Sequence, residues 1–316
     1  SKQPGELEVE ATYYLWIPPG LKQVRSVIVH QHGCGEGAEN SGETAALDWH
    51  WQALATEHES ALLVPRYRAR NGACGLWADP RNGSGAVFLR ALTDLGQQSG
   101  HPELATVPWC LWGHSGGGYW ASLMLEKHAE RIVAVFCRSG AALAIKKGEL
   151  PRPEFPSAAF GVPILFNPGL KERGDARYNT AWESSLKSFD AFRTNRALVA
   201  FAPDPLSSHD CRNSRLLAIP FFDACLRLRL PRPGTALIAA DPAGGFWADW
   251  HTGTGKSAKL GADAKLNSWL PDAGCARAFA EYVTTGKTTD TTPPRKAPVI
   301  TNMISGPRPG EVTLEW

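Results

Sequence analysis

Short apolar runs alternate with segments of helical spacing along roughly the first 230 residues. "ATYYLWIP" (11–18) and "VRSVIVHQ" (24–31) predict strands, being β-branched or aromatic and bounded by Pro and Gly. A helix is expected over 47–59, a buried strand at 61–65, and an amphipathic helix over 86–98 with Phe88, Leu89, Leu92 and Leu95 on one face. The same alternation predicts strands at 107–112, 131–137, 162–167 and 197–203, and helices over 117–128, 181–194 and 213–230. Strands that are apolar on both faces and separated by helices imply a mainly parallel sheet covered on both sides, an α/β fold.

The pattern weakens after about residue 235, and residues 241–275, rich in Gly, Asp, Trp and Lys, read as irregular surface structure. One more helix is expected over 273–286. The division that follows is a main domain over 1–287, a Thr/Pro linker at 288–298 and a tail over 299–316 that reads as two strands and a turn. That tail is similar to the start of a fibronectin type III-like module, and about eighteen residues cannot bury a core alone. The expectation is a module truncated here, or a tail that packs on the main body. The first residue is Ser1, not Met, which fits a processed chain.

Composition removes some function classes. With 316 residues, 20% charged and a formal net charge of +2, the chain has no basic footprint for nucleic acid. No apolar run reaches the ~18 residues of a membrane span. Seven cysteines show no zinc-type spacing, so no metal is implied. Cys110 and Cys137 fall inside strands and read as core, whereas Cys34, Cys74 and Cys211 fall in loops and offer one disulfide.

The chemistry concentrates at "VPWCLWGHSGGGYW" (107–120), where a buried strand breaks at a glycine-rich turn and a helix begins. Gly113-His114-Ser115-Gly116-Gly117 fits G-x-S-x-G in its required strand–turn–helix context. Such a turn lifts the Ser115 hydroxyl above the sheet for nucleophilic attack. A serine needs a base, and the base needs an orienting acid. His209, in "FAPDPLSSHDC" after the strand at 197–203, is the candidate base, with His251 in second place. The acid should follow the strand at 162–167, which leaves Glu172 and, as the alternative, Asp175. The oxyanion of a tetrahedral intermediate needs amide donors. Gly116 N–H is expected to be one, and Cys34 N–H in the loop "HGCG" (32–35) is the candidate for the other. Trp77, His114, Trp247 and Trp250 are candidates for contacting a substrate ring or sugar.

The order Ser115, Glu172, His209, with the elbow "GHSGGG" and the loop "HGCG", resembles the α/β-hydrolase fold. More narrowly, the chain resembles secreted esterases of the polyhydroxybutyrate-depolymerase and feruloyl-esterase-like kind, and it is similar to α/β-hydrolases of environmental bacteria through "WADPRNGS" (77–84), "SGHPELATVPWCLWGHSGGG" (99–118), "ERIVAVFCRSG" (130–140) and "LAIPFFDACLRLRLP" (217–231). The resemblance covers about residues 8–231 and implies ester hydrolysis through an acyl-enzyme, without metal or organic cofactor. It implies a secreted or periplasmic protein, with an ester substrate of the polysaccharide- or polymer-linked kind, and leaves the oligomeric state unset. Many relatives carry Asp as the acid, so Glu172 is a departure. Only residues 138–161 separate two successive strands, with no long amphipathic lid helix, so an open site for bulky esters is expected. A serine peptidase of the same fold and an inactive binding module are the alternatives.

Overall fold

The structure, a computed structural model, describes residues 6–35, 45–69, 73–142, 153–234, 236–257, 267–289, 302–305 and 312–315. A seven-stranded sheet runs through it in the order β1-β3-β2-β4-β5-β6-β7. These strands are β1 (Glu10–Trp16), β2 (Ser26–Gln31), β3 (Ser60–Arg68), β4 (Trp109–His114), β5 (Ile132–Arg138), β6 (Ile164–Asn167) and β7 (Val199–Phe201). Only β1 is antiparallel to its neighbour, β3; the other pairs are parallel. The expected parallel sheet is therefore present, and its alternating side chains divide the core in two. Along β4, Trp109 and Leu111 join one apolar layer while Cys110 and Trp112 join the other.

Helices cover both layers. The first contains residues from α2 (Ser84–Ser99), α3 (Gly116–His128) and α4 (Asn179–Thr194); the second contains α1 (Trp49–Glu57), α5 (Arg215–Arg229) and α6 (Ala273–Thr285). Their starts follow local chemistry: Asp48 caps α1 by accepting from His50 N and Trp51 N, and Asp272 caps α6 by accepting from Cys275 N. The α1 and α5 layer is tied across by His58 Nε2 and Asp223 Oδ1 at 2.7 Å, both largely buried.

Residues 241–275 differ from the irregular structure expected. They contain β8 (Phe246–Asp249), β9 (Gly255–Ser257) and β10 (Asn267–Leu270), an antiparallel sheet of order β10-β8-β9. Strands of three or four residues separated by Gly and Asp carry too little alternation to read from sequence. Their core is Trp247 and Trp269 with Leu198, and the Arg193 guanidinium lies 4.5 Å from the Trp247 ring centre. Ser268 Oγ accepts from Phe201 N at 2.9 Å, which docks β10 beside β7. Further on, β11 (Asn302–Ser305) pairs antiparallel with β12 (Val312–Glu315). Most of the Thr/Pro segment 288–298 lies outside the described residues, as do residues 143–152 within the segment where no lid was expected. Among the described residues, no helix is long and apolar enough to cross a membrane.

Candidate active site

The carboxyl ends of β4, β5 and β6 bring three polar side chains into register: His114 opposite Arg138, and Arg138 opposite Asn167. Between β4 and α3 the chain turns at Ser115, whose φ of 53° and ψ of −117° are left-handed for a residue bearing a Cβ. Such a conformation costs about 1–3 kcal/mol and persists only where packing enforces it. Here backbone crosses backbone: a Cβ on Gly113 would stand 2.6 Å from Gly118 N, and one on Gly117 would stand 2.5 Å from His32 O. Only glycine fits at either position. Ser115 N donates to Arg138 O at 2.8 Å, tying the elbow to β5.

His209 faces this hydroxyl. Its Nε2 lies 2.8 Å from Ser115 Oγ, and its Nδ1 lies 2.6 Å from Glu172 Oε1. A carboxylate only accepts, so Nδ1 carries the proton and Nε2 presents a lone pair to the serine O–H. Glu172 is fully buried at the end of the turn Leu170–Glu172 after β6, and its Oε2 accepts from Gly169 N at 3.2 Å. The acid turn and the histidine loop are bonded to each other, Leu170 N to Asp204 O at 2.8 Å and Lys171 N to Ser207 O at 3.1 Å. Asp175 has a different place. It is partly exposed at the entry to α4, where it accepts from Arg177 N and Tyr178 N, both at 2.8 Å. Those two amides hold its carboxyl below the ordinary range. The Tyr178 ring lies flat on the His209 imidazole, with centroids 4.4 Å apart and planes 6° apart.

The loop after β2 packs on the other side of Ser115. A Cβ on Gly33 would stand 3.2 Å from Ser115 Cβ. His32 fixes this loop: Tyr67 N donates to its Nε2 at 3.1 Å, so its Nδ1 carries the proton and donates to Gly33 O. Burial pushes the His32 imidazole down to about 4 and that of His30 to about 3, keeping both neutral near pH 7. Of the three loop cysteines, Cys34 and Cys74 form the disulfide, with Cα atoms 5.5 Å apart, and Cys211 is free. Gly116 lies against both sulfurs. As the first residue of α3 its N–H has no acceptor within the helix and is available to an anion.

A cleft of about 670 Å³ opens over Ser115, with Cys74, Asn82, Tyr119, Tyr178 and Thr180 among its walls. The four expected substrate contacts are not among them. Trp77 is buried and stacked on Tyr67, because a large indole beside a buried tyrosine completes the core. Trp247 belongs to the small core of the second sheet. Trp250 packs edge-on against Phe201 and Trp182, and its face is stacked on His251. His114 lies behind His209 with ring centres 5.2 Å apart, and burial pushes its pKa well below normal. His251 sits in the turn after β8, away from the cleft walls. Sequence reasoning missed Tyr119, Tyr178 and Arg138. A lone arginine ending the apolar run "IVAVFC" was the one available signal for the last. Among the described residues, no group of three or more His, Cys, Asp or Glu could hold a metal ion.

With this geometry, solved structures provide a comparison. The acylaminoacyl peptidase of Pyrococcus horikoshii matches with a TM-score of 0.52 and 14% identity, over 72% of this chain and 41% of that one. The chain has the α/β-hydrolase fold. Lesser likenesses include an S-formylglutathione hydrolase from Agrobacterium tumefaciens, with a TM-score of 0.47 and 14% identity over 72% of this chain and 91% of that one. A thermostable esterase matches with a TM-score of 0.43 and 16% identity over 61% of this chain, which spans about half (50%) of that esterase. No family model matches the chain, and no curated protein matches it in sequence.

Proposed function

We propose that the protein is a serine carboxylic-ester hydrolase working through an acyl-enzyme. The observation that carries this reading is the unbroken line Glu172–His209–Ser115, with spacings of 2.6 and 2.8 Å, opening into a cleft. In the proposed reaction, Ser115 Oγ attacks the ester carbonyl while His209 Nε2 takes its proton. Glu172 holds the imidazole and balances its transient charge. The Gly116 amide, with the Cys34 amide from the adjoining loop, faces the developing oxyanion; such donors are worth about 10²–10³-fold in rate each. His209 then returns the proton to the departing alcohol, and water reverses the sequence to release the acid.

The cleft volume of about 670 Å³ and its tyrosine walls support a bulky ester, of the feruloyl or acetyl polysaccharide type or a polyester. A secreted or periplasmic location accords with the disulfide. The β11–β12 hairpin remains our candidate for the start of an appended module. Hydrolysis of p-nitrophenyl acetate by the wild type and by Ser115→Ala tests the reading. We expect turnover by the first and its near-complete loss in the second. Equal rates in both would reject it, and a side-by-side series of methyl ferulate, acetylated xylan and polyester oligomers would then rank the substrates of an active enzyme.

A further inference from the structure

The Arg138 side chain is fully buried at the end of β5. Among the described residues it forms no ion pair with a carboxylate. An uncompensated buried cation is costly unless dipoles replace its lost water. Here they do. Nε donates to Asp210 O at 2.8 Å, and Nη1 donates to Asn167 O at 2.9 Å and more weakly to Asn167 Oδ1 at 3.4 Å. Nη2 donates to Ser207 Oγ at 2.6 Å, to Ser208 O at 3.0 Å and to Asp210 O. Every nitrogen of the guanidinium is used, and the acceptors of Nε and Nη2 flank His209 in sequence on both sides.

The main chain of the same residue holds the other partner, since Arg138 O accepts from Ser115 N at 2.8 Å. The loop from Ser207 to Asp210 contains no regular secondary structure; besides the guanidinium, the acid turn holds it through Lys171 N to Ser207 O at 3.1 Å. Asn167, the third point of attachment, passes the connection on through its Nδ2 to Ala202 O at 2.5 Å, just beyond β7. One residue thus bridges the turn that carries the nucleophile and the loop that carries the base.

We propose that Arg138 is a positioning residue: a buried guanidinium clamp that sets the Ser115–His209 distance by gripping the carbonyls of the histidine loop. This rests on the esterase reading for its kinetic consequence, but not for its structural one. Displacements of about 1 Å in such a site cost on the order of 10²-fold in rate. A lysine at this position keeps the charge but concentrates its donors at one point, so it cannot reach acceptors arranged around a planar fork.

The experiment compares wild type, Arg138→Lys and Ser207→Ala by steady-state ester hydrolysis and by proton NMR of the His209 Nδ1–H that bonds Glu172. For Arg138→Lys we expect kcat to fall by about 10²-fold with KM changed less than about 3-fold, and the downfield Nδ1 proton to broaden or vanish. Ser207→Ala removes one acceptor with little change of shape; it keeps the readout if the lysine variant does not fold. It should lower kcat by about 3–10-fold at unchanged KM. Wild-type kcat and an unaltered Nδ1 proton in whichever of the two variants folds would overturn the clamp. If no ester is turned over even by wild type, the esterase reading falls. Loss of the Nδ1 signal would still support the clamp, and its persistence would still refute it.

Discussion

The two sides of the candidate site are built by different means. On the Ser115 side, position comes from the main chain: a strained φ of 53°, glycines packed backbone to backbone, and a disulfide against Gly116. On the His209 side, an irregular loop is held chiefly by two buried side chains, Glu172 and Arg138, with one main-chain bond from Lys171 N to Ser207 O beside them. The first kind of construction leaves a contiguous signature because close backbone approach excludes every residue but glycine. The second leaves scattered single residues, each defined by a partner far away in the chain. One side should therefore fail by distortion of the backbone and the other by loss of individual hydrogen bonds.

The largest contrast separates the two acids. Glu172→Gln preserves shape but replaces the acceptor facing Nδ1 with an amide, and kcat should fall by about 10³–10⁴-fold. Asp175→Asn, which touches only the Arg177 and Tyr178 amides ahead of α4, should keep kcat within about 3-fold of wild type and leave the melting temperature unchanged, since asparagine accepts from such amides as well as aspartate does. Steady-state kinetics and thermal melts of both variants would show it. Equal effects would dissolve the distinction between the two residues.

This is also where the reading from sequence ran out. The elbow, the histidine loop and the parallel sheet were legible, because each is a local pattern of glycines or apolar residues. Glu172 and Asp175 remained open, because the choice depends on how a turn of three residues aims a carboxylate. Nothing local announces that Arg138 reaches Ser207 to Asp210, and indole rings such as Trp77 look alike whether they face a cleft or a core. The short strands of the second sheet escaped for want of length.

The next test sharpens the backbone side. Joint replacement Cys34→Ser with Cys74→Ser should lower stability by about 2–4 kcal/mol, because the bond closes a loop of 40 residues. It should also reduce kcat more than it raises KM, since Cys34 and Gly116 are the two proposed oxyanion donors. Denaturant titration and kinetics would separate the two effects, and unchanged kcat would mean the loop holds its place without the bond.

A smaller effect concerns pH. His30 and His32 are neutral when folded, with pKa values pushed by burial to about 3 and about 4, against about 6.5 in an unfolded chain. The unfolded state binds more protons in that window, so stability rises with pH through it. Their contribution is whole above about pH 6.5 and shrinks steadily as pH falls toward 4 and then 3. Melting temperatures across this range should decline toward acid, and His30→Asn should flatten the slope. The smallest expected effect is at Trp250, where Trp250→Phe should leave KM for every ester within about 2-fold, because the ring packs on Phe201 rather than lining the cleft.

The central claim is that the Ser115 oxygen becomes covalently acylated. Rapid quenching of the enzyme with a slowly deacylating aryl ester, followed by peptide mass spectrometry, tests it directly. The account predicts one acyl group on the peptide containing Ser115, absent from Ser115→Ala and strongly slowed in Glu172→Gln. Acylation of another side chain, or ester turnover that survives Ser115→Ala, would contradict it.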